Sequence, residues 1–237
     1  MVVAIDGPAG SGKSTMAETL ARRLELSGGR RFVYVNSGSL YRAVTLACVR
    51  RGIDPLDGDA VVNVARSANI DYRDGSVFLD GEDVGALLRG DSIDRSVSQV
   101  SANVPVRRVV NGMIKLIAEK RDVIVEGRDM TTVVFPDAEA RFYLDASPES
   151  RAKRRFDQRV SELGLDEIRR SIEIRDSMDR NKPEGSLKLA AGVTYIDTSY
   201  LTINQVYEKL ERIIRSIRMN HGSDGNGNGS GRKDRLP

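Results

Sequence analysis

The chain has 237 residues, 40% hydrophobic and 30% charged, the balance of a globular protein of one large or two small domains. Lys and Arg number 37 against 34 Asp and Glu, and residues 211–237 supply the whole excess of +3, so the neutral body is a weak electrostatic case for nucleic-acid binding. One cysteine, Cys48, and one histidine, His221, exclude an intrachain disulfide, a Cys/His zinc site and a serine-hydrolase triad in the body, and they fit a reducing cytoplasm.

The start, MVVAIDGPAG, lacks the basic and then apolar profile of a secretory signal, and no apolar stretch approaches the ~20 residues of a membrane span. No membrane partner is expected. Val2 to Ile5 is a short apolar run ended by Asp6 and a glycine-rich turn, the profile of a strand buried on both faces. Met16, Ala17, Leu20, Ala21 and Leu24 then recur at helical spacing, and Ser27, Gly28 and Gly29 stop them. Further apolar runs at Phe32–Val35, Val123–Val125, Phe142–Leu144 and Val193–Ile196 alternate with helical patterns. This predicts an α/β fold, a parallel sheet with helices on both faces.

The middle breaks that rhythm. Ile70–Arg73, Ser76–Leu79 and a run near Val84 are separated by Asp74-Gly75 and Asp80-Gly81, whose residues tolerate the positive φ of a type I′ turn. A small antiparallel meander is expected, over about 62–95. Near the end, Thr202 and Gln205 make a capping box for a helix whose apolar stripe runs Ile203, Val206, Tyr207, Leu210, Ile213, Ile214, Ile217. From Asn220 the glycine-rich composition predicts a disordered tail, 220–237.

Gly7-Pro8-Ala9-Gly10-Ser11-Gly12-Lys13-Ser14 fits G-x-x-x-x-G-K-[ST], the phosphate-binding loop, and stands between strand and helix as its mechanism requires. The glycines let backbone N–H groups turn inward onto phosphate oxygens, and the helix amino terminus adds partial positive charge. Lys13 suits the β and γ phosphates of ATP, and the Ser14 hydroxyl suits Mg²⁺. Asn181-Lys182-Pro183-Glu184 half matches a guanine-binding motif but follows no apolar strand, so the switch-GTPase reading is set aside, and a small P-loop enzyme whose arginines suggest a second phosphorylated substrate remains.

Arginines cluster in Ser37-Gly38-Ser39-Leu40-Tyr41-Arg42, Ser98-Gln99-Val100 with Arg107, Glu126-Gly127-Arg128-Asp129, Arg151-Ala152-Lys153-Arg154-Arg155 and Arg175 to Lys182. With Thr132-Val133-Val134-Phe135-Pro136-Asp137-Ala138 and Leu144-Asp145-Ala146-Ser147, these segments make residues 1 to about 217 resemble the bacterial cytidylate kinases, P-loop nucleoside monophosphate kinases. The resemblance implies ATP- and Mg²⁺-dependent phosphorylation of CMP, with dCMP as a further acceptor, in a cytoplasmic monomer that needs no nucleic acid. It implies cytosine reading by Ser98, Arg107 and Asp129, and an acceptor-phosphate grip by Ser37, Tyr41, Arg42 and Arg128. Arg175 and Asp179 fall near the ribose and phosphates, and Lys182 stands where the family often carries arginine.

Residues 7–14 with Thr15 would hold ATP, and Glu126, where many members have Asp, would join the magnesium and water shell. Lys13, Arg128, Arg151, Arg155 and Arg175 would act on the transferring group, with Lys153 and Arg154 left at the surface. The implied division is a kinase domain 1–219 (core 1–37, 105–145 and 160–219), an acceptor-binding region 38–104 and a lid 146–159. A monophosphate kinase of other specificity, UMP/CMP, and a non-catalytic P-loop regulator are the alternatives.

Overall fold

The structure is a computed structural model and describes residues 1–26, 31–73, 75–89, 91–158 and 163–223. Five parallel strands form the central sheet: β1 (Val2–Asp6), β2 (Phe32–Asn36), β6 (Asp122–Gly127), β7 (Ala140–Asp145) and β8 (Thr194–Asp197), in the order β2-β6-β1-β7-β8. Side chains on a strand alternate between faces, and β1 uses both. Val3 and Ile5 enter a core with Met16, Leu20 and Leu24 of α1 (Lys13–Leu26) and Val206, Leu210 and Ile214 of α8 (Ile203–Ser223). Ala4 enters the opposite core, built by α2 (Ser37–Arg50), α3 (Gly58–Ser67), α4 (Asp91–Ala102) and α5 (Val104–Ala118). The expected parallel sheet covered on both faces is present.

The second core also receives the antiparallel sheet of β3 (Ile70–Arg73), β4 (Ser76–Leu79) and β5 (Glu82–Asp83), through Tyr72, Val77 and Leu79. Asp80 (φ 53°) and Gly81 (φ 88°) make the turn expected from their sequence. The sheet spans less than the expected 62–95, because residues up to Ser67 are still in α3 and Asp91 already begins α4. Asp74 of the other turn lies outside the described residues, as do the helix-stopping Ser27, Gly28 and Gly29 and also Arg159.

Helices α6 (Pro148–Asp157) and α7 (Leu165–Arg180) pair over a small core of Ala152, Ile168 and Ile172. Ser147 caps α6 by accepting from Ser150 N at 3.2 Å. The capping box of α8 is present in both directions, Thr202 N to Gln205 Oε1 at 2.9 Å and Gln205 N to Thr202 Oγ1 at 3.3 Å. Ile203, placed in the buried stripe, is 53% exposed, because the capped first turn stands clear of the sheet. Residues 220–223, expected in the tail, belong to α8, which continues to Ser223, and the rest of the expected tail, 224–237, lies outside the described residues. Among the described residues no helix is long and apolar enough to cross a membrane.

Candidate active site: a cationic cleft at the strand ends

The carboxyl ends of β1, β2 and β6 open into one cleft, the usual place for a ligand in an open α/β sheet. After β1 the chain enters the phosphate loop. A β-carbon on Gly7 (φ 150°) would fall 1.9 Å from the Leu144 carbonyl oxygen, so this position accepts no side chain. Lys13 Nζ donates to the Pro8 carbonyl at 2.7 Å from inside the loop. Burial, reinforced by Arg128, lowers the Lys13 pKa to about 7 against the pull of Glu126, Asp6 and Asp179.

Ser14 Oγ donates to Glu126 Oε1 at 2.6 Å, and Tyr34 Oη reaches the same oxygen at 3.3 Å. A hydroxyl and a carboxylate are the hard oxygen donors that suit Mg²⁺. Among the described residues no group of three His, Cys, Asp or Glu is placed to hold a metal ion.

Across the cleft, Asn36 caps α2 by accepting from Ser39 N at 3.1 Å, which places Ser37, Tyr41 and Arg42 on the first turns. Arg42 donates to the Leu88 carbonyl at 2.8 Å and pairs with Asp94 at 2.5 Å. Arg107 of α5 and Asp129 form an ion pair of 2.5 Å, each almost wholly buried, and Arg107 also donates to the Ser101 carbonyl at 2.8 Å. Burial pushes the Asp129 carboxyl up against the opposing pull of Arg107. The Gly185 backbone (φ 67°) lies on this guanidinium so closely that a β-carbon there would come within 2.1 Å of Nη2.

Asp179 accepts from Arg128 Nε at 2.7 Å and from Lys182 Nζ at 2.8 Å. Burial would raise its pKa, but these two cations hold the carboxyl far below the usual range. Lys182 Nζ also meets Ser101 Oγ at 3.1 Å. Arg155 and Arg175 line the cleft and, among the described residues, make no ion pair. Burial, with Arg128 nearby, lowers Arg175 to about 10. Seven cationic side chains against three carboxylates leave the cleft strongly positive, a surface for polyanions.

The cleft therefore gathers Ser37, Tyr41, Arg42, Ser98, Arg107, Arg128, Asp129, Arg175, Asp179 and Lys182 with Ala9, Gly10, Lys13 and Ser14. These residues converge from α1, α2, α4, α5, α7 and the segments that join them, and the family model "Cytidylate kinase" matches residues 3–216 of the chain. The chain belongs to the cytidylate kinase family. The cytidylate kinase of Borrelia duttonii (strain Ly) is 41% identical over 211 residues, covering 87% of this chain and 94% of its own. That of Caldanaerobacter subterraneus subsp. tengcongensis is 40% identical over 221 residues, covering 92% and 95%. An uncharacterized protein from Eubacterium ventriosum overlays with a TM-score of 0.52 at 12% identity, covering 91% of this chain and 99% of that one, which shows the fold alone. As a cytidylate kinase family member the protein is a phosphotransferase.

Within this cytidylate kinase fold, Arg151 and Arg155 part company. Arg155 faces the cleft, whereas Arg151 is 3% exposed, donates to the Ala146 and Ala9 carbonyls at 2.9 Å and pairs with Asp176 at 2.7 Å. One helical turn separates them, but the phosphate loop packs directly over Arg151. Arg154, expected at the surface, is half-buried and donates to both Thr198 oxygens, and Thr198 Oγ1 in turn donates to the Ser11 carbonyl at 3.1 Å. Lys153 is exposed as expected. Gly7, Pro8, Ser11, Gly12 and Thr15 do not line this cleft; the first three are buried, and Gly12 and Thr15 are exposed.

The sequence reading omits Asn36, Ser101, Asp176 and Asp6. Asn36 carried a local signal, an N-cap type directly before a helix. The others are legible only through distant partners.

Proposed function

We propose that the protein transfers the γ-phosphoryl group of ATP to CMP and dCMP, with Mg²⁺ bound, to give the diphosphates. The observation that carries this reading is the meeting of the phosphate loop and the Arg107–Asp129 pair in one cleft. Cytosine presents an N4 amino donor beside the N3 and O2 acceptors, and a carboxylate next to a guanidinium matches them in kind. Uracil would turn its O4 acceptor toward Asp129 and be repelled. Ser98 completes the base contacts. Ser37, Tyr41, Arg42 and Arg128 hold the acceptor phosphate, and Arg175, Asp179 and Lys182 hold the ribose side.

An acceptor-phosphate oxygen, ionised at neutral pH, attacks the γ-phosphorus. Its bond to the oxygen bridging to the β-phosphate breaks, and ADP leaves with that electron pair. No side chain has to take up a proton, in keeping with a cleft whose lining holds no histidine. Lys13, Arg128, Arg155 and Arg175 place positive charge at the oxygens of the transferring group. Arg151 acts one step behind them by fixing Ala9 of the phosphate loop. Mg²⁺, when bound, supplies further neutralisation of phosphate charge, and Ser14 with Glu126 would hold it. Arg155 stands on the lid side, where closure excludes water as a competing acceptor.

A coupled assay offering CMP, dCMP, UMP and AMP separately tests the reading. The wild-type protein is expected to use CMP and dCMP, and Asp129→Ala to lose about 10- to 100-fold in kcat/KM for CMP, closing the gap to UMP. Preference of the wild type for UMP or AMP, or an unchanged CMP preference in Asp129→Ala, would contradict it.

A further inference from the structure

Asp6 ends the central strand β1, immediately before the phosphate loop, with Gly127 of β6 beside it on one side and Tyr143 of β7 on the other. Its side chain is completely buried and does not line the cleft. Oδ1 accepts from Met130 N at 2.9 Å, and Oδ2 accepts from Thr131 N at 2.7 Å and Thr131 Oγ1 at 2.6 Å. All three donors belong to the first two residues of the π-helical turn Met130–Val134 that follows β6.

The residue in the N-cap position of that turn is Asp129, a residue type that ordinarily caps its own helix. It makes no such bond here, since its carboxylate is turned toward Arg107 at 2.5 Å. The leading N–H groups of the turn would then be buried without acceptors, at a cost of ~1–3 kcal/mol each. Asp6 supplies those acceptors from another strand. Carrying a carboxylate there is itself costly, because burial pushes its pKa up to about 6 despite the three donors.

We infer that Asp6 is a positioning residue for base specificity: by capping the Met130–Val134 turn from β1 it releases the Asp129 carboxylate to face Arg107 and the acceptor base. This rests on the cytosine reading proposed above for Asp129. Asparagine at position 6 keeps the size but can accept through one oxygen only, and its amide would face an N–H of the turn donor to donor. Asp129 then swings back to cap its own turn, and its alignment with Arg107 is lost.

Steady-state kinetics of Asp6→Asn with CMP, UMP and ATP test this. The expected result is a CMP KM raised about tenfold, a CMP-over-UMP ratio of kcat/KM lowered by a similar factor, and an ATP KM within about threefold of wild type. Thr131→Val, which removes one donor and keeps the backbone N–H, is expected to shift the ratio in the same direction by less, and Thr131→Ser to restore it. Should Asp6→Asn fail to fold, the Thr131 pair decides by the same ratio. A wild type without CMP preference defeats the cytosine reading itself. A wild type that prefers CMP, with a ratio unmoved by Asp6→Asn and Thr131→Val, defeats the role of Asp6 alone.

Discussion

Lys13 is a buried ammonium bonded to a carbonyl, held near a pKa of 7 chiefly by its burial. Phosphate oxygens at the loop restore the charge by Coulomb attraction and raise that pKa again. ATP binding at pH 8 therefore takes up close to one proton through Lys13, and the uptake fades as the pH falls below 7. Calorimetric titration at pH 8 in two buffers of different ionisation enthalpy reads this number; equal heats in both would contradict it. Lys13→Ala removes the uptake and nearly all turnover. The phosphate loop was legible from sequence because its eight positions are contiguous and each meets a local need. The pairings were not: Arg107 and Asp129 lie 22 positions apart and Arg128 and Asp179 lie 51 apart, so only the fold reveals which charge faces which. Asp6 read as the end of a strand for the same reason.

At the scale of elements, α6 and α7 are joined to the phosphate loop through Arg151, which reaches Ala9, Ala146 and Asp176 at once. Removing one partner of a buried ion pair leaves an uncompensated charge and costs about 3–5 kcal/mol. Asp176→Asn is expected to lower unfolding stability by this order in urea titration and to raise the ATP KM, because the loop loses its anchor. A loss below about 1 kcal/mol would mean that the pair does not tie these helices together. Local signals served the elements well: Asp80-Gly81 foretold a turn that has positive φ at both residues, and Thr202 with Gln205 foretold a reciprocal cap. A spacing of four puts Arg151 and Arg155 on one face of a helix. It carried no information that the phosphate loop covers the first and leaves the second open.

Across the whole molecule, the sheet divides two cores. One is sealed by α1 and α8, and the other contains the meander and the helices α2, α4 and α5, which line the cleft. The alternation of apolar runs predicted this layering, since parallel strands buried on both faces have few other arrangements. The meander's place was readable, its attachment less so: Tyr72 on β3 accepts from Asn36 N at 3.2 Å, joining the antiparallel sheet to the cap of α2. The central claim is that these layers bring two nucleotides together with their phosphates in one cationic cleft. Calorimetric titration of CMP into the full chain tests it most directly. Saturable heat at one CMP per chain, reduced in Asp129→Ala, is the expected result; no heat from CMP at concentrations up to the millimolar range would contradict the account.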